Sequence, residues 1–442
     1  MVTAKAVAFP PEVNRTTSRI APLSFSVARV LLIATLLLAP LAFGAVQTWA
    51  WASLAVVAAL LLILWTIGSA RQGAIRIHWS PLYLLAALFL VLGVVQYATH
   101  LSLDPYATWE SLIKLVTDLV FFFLAGQLCV DPSEKTWKLF GFAVTVYAFL
   151  MALFAIIQFF SSHGLIYWSV EGPGSTFGPY VNRNDYAGLM EMLIPIATAY
   201  VLSESQPRHD RALLGFAVVV PVCSVLLSGS RGGFVALLVE SSILMVALNR
   251  QSIGPTRRNF GMLIGLGAVA IVLLFFWLAP TYIPKRLATV AGVTHSPEVT
   301  LGERWVVWKD SFGIVRDRPW VGSGLGSFAV VFPQHQSFAS DLVWDHAHND
   351  YVEALADSGI VGGLLILAAL AIFFRSAFEN LRERLPAADG LIQLGAAVGC
   401  CGLLVQSLVD FNLHIPANAA WFAVCLGIST SWIHGGACSQ GG

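Results

Sequence analysis

The residues able to do chemistry are few, and they fall in short stretches. Arg231 sits in Ser228-Gly229-Ser230-Arg231-Gly232-Gly233, and Arg183 and Asn184 close the run from Thr176. Arg304 follows Glu303, while His346, His348 and Asn349 stand in Asp345-His346-Ala347-His348-Asn349-Asp350-Tyr351. Asp410, Asn412 and His414 make up the last stretch. A guanidinium is a planar fork of donors that matches phosphate oxygens, and the glycines beside Arg231 let a ligand approach the backbone. The competing role for Arg231 is a snorkelling contact with lipid headgroups; for Arg304 it is a loop charge paired with Glu303 or Asp310. A neutral imidazole, with a pKa near 6.5, suits proton abstraction from a hydroxyl. The same His-x-His-Asn run is compatible with a pair of metal ligands, although no third ligand stands at a telling spacing. It is also compatible with capping of the next helix by Asp345 or Asn349.

The elements that position these residues follow from composition. The chain is 57% hydrophobic and 11% charged, against roughly 25% charged in soluble domains. Its apolar residues come in blocks of the length, about 20 residues, that crosses a bilayer core of roughly 30 Å. The expectation is an all-α, polytopic membrane helical bundle of about twelve transmembrane helices. They lie near 27–46, 49–68, 82–98, 112–130, 137–160, 185–203, 211–228, 232–249, 260–279, 352–375, 391–411 and 416–434. That divides the chain into a tail over 1–26, nine helices within 27–279, one large loop over 280–350, three helices within 351–434, and a tail over 435–442. No small-residue cleavage signal follows the basic N-terminus, so the first span reads as retained. Net charge is zero and no basic stripe of the kind nucleic acid demands is present. The six cysteines mostly sit in apolar blocks, where they act as small hydrophobes and not as a disulfide framework.

Most of the 25 basic residues fall on one side if the N-terminus is cytoplasmic, and the short outward loops near 47–48, 99–111 and 412–416 hold none. The positive-inside rule then orients the chain and puts every chemistry-bearing stretch on the outward side. Within the large loop, Trp305, Trp308, Phe312 and Val315 recur at helical spacing. They predict a helix lying on the bilayer or against the bundle, ended by Pro319 and followed by a flexible turn over Gly322-Ser323-Gly324-Leu325-Gly326. Lys285, Arg286, Lys309, Arg316 and Arg318 read as headgroup or loop charges. Lys114 and Asp118, four apart in the fourth span, can pair with each other. Glu240 lies near the middle of the eighth span, where a carboxylate is a functional suspect by default unless Ser241 or Ser242 satisfies it. Glu191 lies nearer the membrane edge.

These motifs together resemble the O-antigen ligase and polymerase superfamily of membrane glycosyltransferases, over about residues 25–434. The shared features are Gly178 to Asn184, Ser230-Arg231-Gly232-Gly233 and Glu303-Arg304-Trp305. They continue with His346-Ala347-His348-Asn349 ahead of Gly359-Ile360-Val361-Gly362, and with Asp410 to Asn418. The resemblance implies a GT-C-like fold and an inverting transfer that uses no metal or other cofactor. The site would face the periplasm from a multi-pass position in the bacterial inner membrane, among membrane lipids. The donor it implies is a glycan on undecaprenyl diphosphate; the acceptor is the lipid A core or another glycan chain. Carried onto this chain, it makes Arg231 and Arg304, with Arg183, the diphosphate ligands. His348 becomes the base, with His346 second. Asn184, Asn349, Asp410 and His414 are acceptor contacts or structural groups. Two rivals remain: a transporter or flippase of lipid-linked glycans, which predicts midplane binding residues and inverted repeats, and a non-catalytic scaffold.

Overall fold

Caps and prolines set where the helices begin. Ser80 accepts the Leu82 N–H ahead of Pro81, and Asp104 accepts the N–H groups of Tyr106 and Ala107 ahead of Pro105. Proline at the first helical position gives up no hydrogen bond there. The computed structural model describes residues 7–8, 20–75, 77–129, 134–172, 174–203, 208–249, 301–340, 343–383 and 388–430. In chain order the long helices are α1 (Ile20–Leu38), α2 (Thr48–Arg71), α3 (Pro81–Ala98), α4 (Pro105–Leu128), α5 (Glu134–Ser161), α6 (Arg183–Leu202), α7 (Arg208–Ser228) and α8 (Arg231–Asn249). After the undescribed stretch come α9 (Leu301–Asp317), the single turn α10 (Phe328–Val331), α11 (Asp350–Glu383), α12 (Ala388–Gln406) and α13 (Pro416–Thr430). Apart from a two-residue antiparallel pairing of Val7–Ala8 with Ala74–Ile75, the described chain is helical with connecting turns.

Among the described residues, seven helices are long and apolar enough to cross a membrane: those in α1 to α5, α8 and α11. The sequence reading counts about twelve. Four of the difference, α6, α7, α12 and α13, are present as helices but are shorter or more polar, and the ninth expected span at 260–279 lies outside the described residues. For α6 the reason is burial. From Asp185 to Leu202 every residue of α6 is buried by its neighbours, so its surroundings are protein and its hydropathy is free to fall. Two glycines four apart bring α12 against it: a Cβ on Gly395 would lie 2.7 Å from the Pro195 carbonyl oxygen, and one on Gly399 2.8 Å from the Met192 Cα. Small residues at that spacing let helix backbones meet closely.

Several local expectations change. Helix α4 starts at Pro105 and not near 112, so most of the segment 99–111, read from sequence as a short loop, is helical. Lys114 pairs at 2.6 Å with Glu110, one turn before it, whereas Asp118 lies one turn after. Glu191, placed near the membrane edge from sequence, is fully buried, and both its oxygens and both of Glu240's have no hydrogen-bond partner among the described residues. Ser242 bonds the Leu238 carbonyl instead.

Helix α9 ends at Asp317, just before Pro319, as the breaker predicts. It buries Val307, Ser311 and Ile314 and leaves Trp305 and Phe312 exposed, so its apolar surface is split between protein and surroundings. The glycine turn that follows is pinned, not flexible. Ser323 and Gly324 donate backbone N–H to the Ala356 and Asp357 carbonyls at 3.0 Å each, and the Gly326 N–H donates to the Asp357 carboxylate at 2.7 Å. What makes room for it is a break in α11 at Gly359, with φ 65 and ψ −167. There Ile360 and Val361 donate to the carbonyls of Pro319 and Trp320. A Cβ on Gly359 would lie 2.5 Å from the Trp320 carbonyl carbon, so only glycine fits.

Candidate functional site

The turn between α12 and α13 is where the separate stretches meet. Asp350 donates its backbone N–H to the carbonyls of Ser407 and Asp410 at 3.0 and 3.2 Å, and its carboxylate accepts the Ser407 hydroxyl at 2.6 Å. Asn349 donates its side-chain N–H to the Leu408 carbonyl at 2.8 Å, while its oxygen caps α11 by accepting from Tyr351 and Val352. Of the two capping residues weighed from sequence, Asn349 makes the cap. Gln406 donates to the Asn184 carbonyl at 3.0 Å, which ties the start of α6 to this turn. Gly232 abuts Gln406 and Val409: a Cβ there would sit 3.1 and 3.2 Å from them.

The three arginines arrive at this end of the bundle by different routes. Arg304 reaches across from α9, donates to the Val409 carbonyl, and holds its guanidinium 3.9 Å from the Asp410 carboxylate. It is therefore not a free loop charge; Asp310, one of the two partners considered for it, instead accepts the Ser337 N–H at 2.8 Å. Arg183, half-buried at the first residue of α6, lies beside Gly229. Arg231 opens α8, is exposed, and has no polar partner among the described residues. A helix start with an unengaged guanidinium favours an anionic ligand twice over, through the side-chain charge and through the positive end of the helix dipole.

The two histidines of the loop face different carboxylates. His348 has φ 51 and an Nδ1 that lies 3.5 Å from Asp410 without a hydrogen bond. Arg304 and His348 thus flank the same carboxylate, itself buried. His346 puts its Nδ1 2.8 Å from Glu353 Oε1, and the other oxygen of Glu353 accepts the Ala347 N–H at 2.8 Å. Phe411 stands between the rings, stacked on His346 at 4.3 Å and edge-on to His348 at 4.9 Å. His414 is gripped at both nitrogens: Nδ1 lies 2.8 Å from Asp350 and Nε2 3.2 Å from Glu353. Burial opposes its charge, but Glu353 and the hydrogen bond to Asp350 outweigh that and push its pKa up to about 10.

Sequence reasoning missed Glu353 and the central role of Asp350. A signal was there: carboxylates in the opening turn of a helix that then enters an apolar run are costly unless they are partnered. A metal pair of His346 and His348 was also considered from sequence. The structure groups His346, Glu353 and His414 instead, each with one ligand atom within 4.8 Å of the others, and these are the residues that would hold an ion at this place.

Among the described residues, seven helices long and apolar enough to cross a membrane accompany a cluster of arginine, histidine and carboxylate side chains at the turn between α12 and α13. Residues 216–367 match the family model described as O-antigen ligase. That segment holds Arg231, Arg304, His346, His348 and Glu353, while Arg183 and residues 407–414 lie outside it. The chain is also 22% identical over 222 residues to the exopolysaccharide production protein ExoQ of Rhizobium meliloti, covering 44% of this chain and 48% of that protein. The chain therefore spans about half the length of that curated relative.

Proposed function

We propose that this protein transfers a glycan, O-antigen or a related surface polysaccharide, from undecaprenyl diphosphate to an acceptor hydroxyl. The acceptor is the lipid A core or a growing glycan chain, and the protein acts as ligase or polymerase at the periplasmic face of the inner membrane. The observation that carries this reading is the meeting of Arg183, the Arg231 turn, Arg304 and the two histidines around residues 407–414, although they come from four other parts of the chain. The family match and the relative's role in exopolysaccharide production point the same way. Nothing in either supports the transporter reading.

In the mechanism, Arg231 and Arg304, with Arg183 close by, bind the diphosphate and stabilise the charge that develops on it as the anomeric bond breaks. His348 takes the acceptor's proton, a step worth about 10²–10⁴-fold. His348 suits the part better than His346 because it shares Asp410 with Arg304, so base and diphosphate ligand sit around one anchor. The sugar carbon is attacked opposite the departing diphosphate, so the linkage inverts and no metal is needed. The test is transfer by purified protein from an undecaprenyl-diphosphate glycan to lipid A core or glycan acceptor. His348→Ala should abolish transfer while donor binding persists, and full activity in that variant would sink the mechanism.

A further inference from the structure

We propose that Glu353 is the positioning residue of this site, a clamp whose carboxylate grips the His346 side chain and the Ala347 backbone at once and so fixes the loop that presents His348. The proposal rests on the reading of His348 as the base. His348 has φ 51, a backbone conformation that L side chains rarely adopt; such a residue persists only where its surroundings over-determine it. Those surroundings are on view. Glu353 Oε2 accepts the Ala347 N–H and Oε1 faces His346 Nδ1, both at 2.8 Å, while Trp308 donates its indole N–H to the Ala347 carbonyl at 2.9 Å. Glu353 alone supplies two of these holds, and it does so from the first turn of α11.

The carboxylate is itself held. Its Oε1 lies 3.2 Å from His414 Nε2, and His414 is anchored through Nδ1 to Asp350, so the chain Asp350–His414–Glu353–His346 leaves the side chain one orientation. All three of its neighbours are nitrogen groups able to donate, and Glu353 is 2% exposed. Its lone pairs are thus spent inward, which excludes it as the group that meets the acceptor. A metal ion at the same three residues is the competing account. Glu353 Oε1 stands 2.8 and 3.2 Å from the two histidine nitrogens, separations at which direct hydrogen bonds form, so these contacts can hold the loop without an ion.

A misplacement of about 1 Å can cost on the order of 10²-fold in rate. Loosening the clamp should therefore lower kcat and leave donor binding, which the arginines carry, untouched. The experiment compares wild type, Glu353→Gln, His346→Ala and His348→Ala in purified transfer assays, with backbone hydrogen exchange followed over residues 344–349. Glu353→Gln should lower kcat about 10- to 100-fold with donor KM unchanged, and Ala347 should exchange faster. His346→Ala, which keeps the Ala347 hold, should show the same pattern more mildly and serves if the first variant does not insert. Wild-type kcat in both variants beside a dead His348→Ala overturns the clamp alone. A fully active His348→Ala overturns the base reading on which it rests. Loss of wild-type activity on EDTA treatment, restored by zinc, overturns the clamp in favour of a metal centre.

Discussion

Arg231→Lys separates a diphosphate ligand from a headgroup anchor. The guanidinium opens α8, is exposed and meets no polar partner among the described residues, so folding asks nothing of it. Its backbone is fixed: a Cβ on the neighbouring Gly233 would lie 2.9 Å from Ala187, and Gly232 abuts Gln406 and Val409. The side chain therefore leaves from a rigid base, and the substitution changes only the head. Lysine keeps the charge and the helix-terminus position but loses the planar fork. Losing one charge-assisted hydrogen bond costs about 1.5–3 kcal/mol, and each 1.36 kcal/mol is tenfold in rate, so transfer should fall roughly 10- to 100-fold. Stability should stay within about 0.5 kcal/mol, as for other exposed positions without contacts. The assay is transfer of a glycan from its lipid diphosphate by purified protein, beside a thermal melt in the same detergent. A lysine variant within about threefold of wild type, well inside the single decade that 1.36 kcal/mol represents, would refute the fork argument and leave Arg231 a contact for lipid headgroups.

Two further predictions concern pH and topology. His414 has a folded pKa raised from 6.5 to about 10, so its contribution to stability is fully present below 6.5, declines as pH rises, and is gone once pH passes about 10. The melting temperature of wild type should fall more steeply between those limits than that of His414→Gln; parallel curves would show that the ion pairs with Asp350 and Glu353 do not stabilise the fold. A topology reporter fused after Gly254 should read cytoplasmic and one within 290–300 periplasmic, and the reverse pattern would overturn the outward placement of the site.

Much of the site could be read before any fold was known, because its residues are out of place where they stand. An arginine in a tight turn between apolar runs, and two histidines at the entrance to another, are conspicuous against a chain with 11% charged residues. Asp350 and Glu353 escaped notice because acids in a helix's opening turn are common. Their partners also lie elsewhere: Asp350 meets His414, 64 residues on, and Ser407, 57 residues on. The same limit explains the span count. Hydropathy reports whether a helix tolerates lipid on all sides, and α6 never meets that condition, since protein encloses it from Asp185 onward.

Sequence by itself determined the helical class and the breaker that ends α9. These follow from local chemistry: apolar run length and proline geometry. Only the tertiary structure decided that residues 407–414 are the meeting point, that Arg304 and His348 share Asp410, and that His346 belongs with Glu353 and His414. Only it turned Gly322–Gly326 from a loose turn into one locked against a helix broken at Gly359. Each of these depends on which helix ends are brought together, and that is settled by the packing of whole helices, such as α12 closing on α6 through Gly395 and Gly399, which no stretch of neighbouring residues encodes.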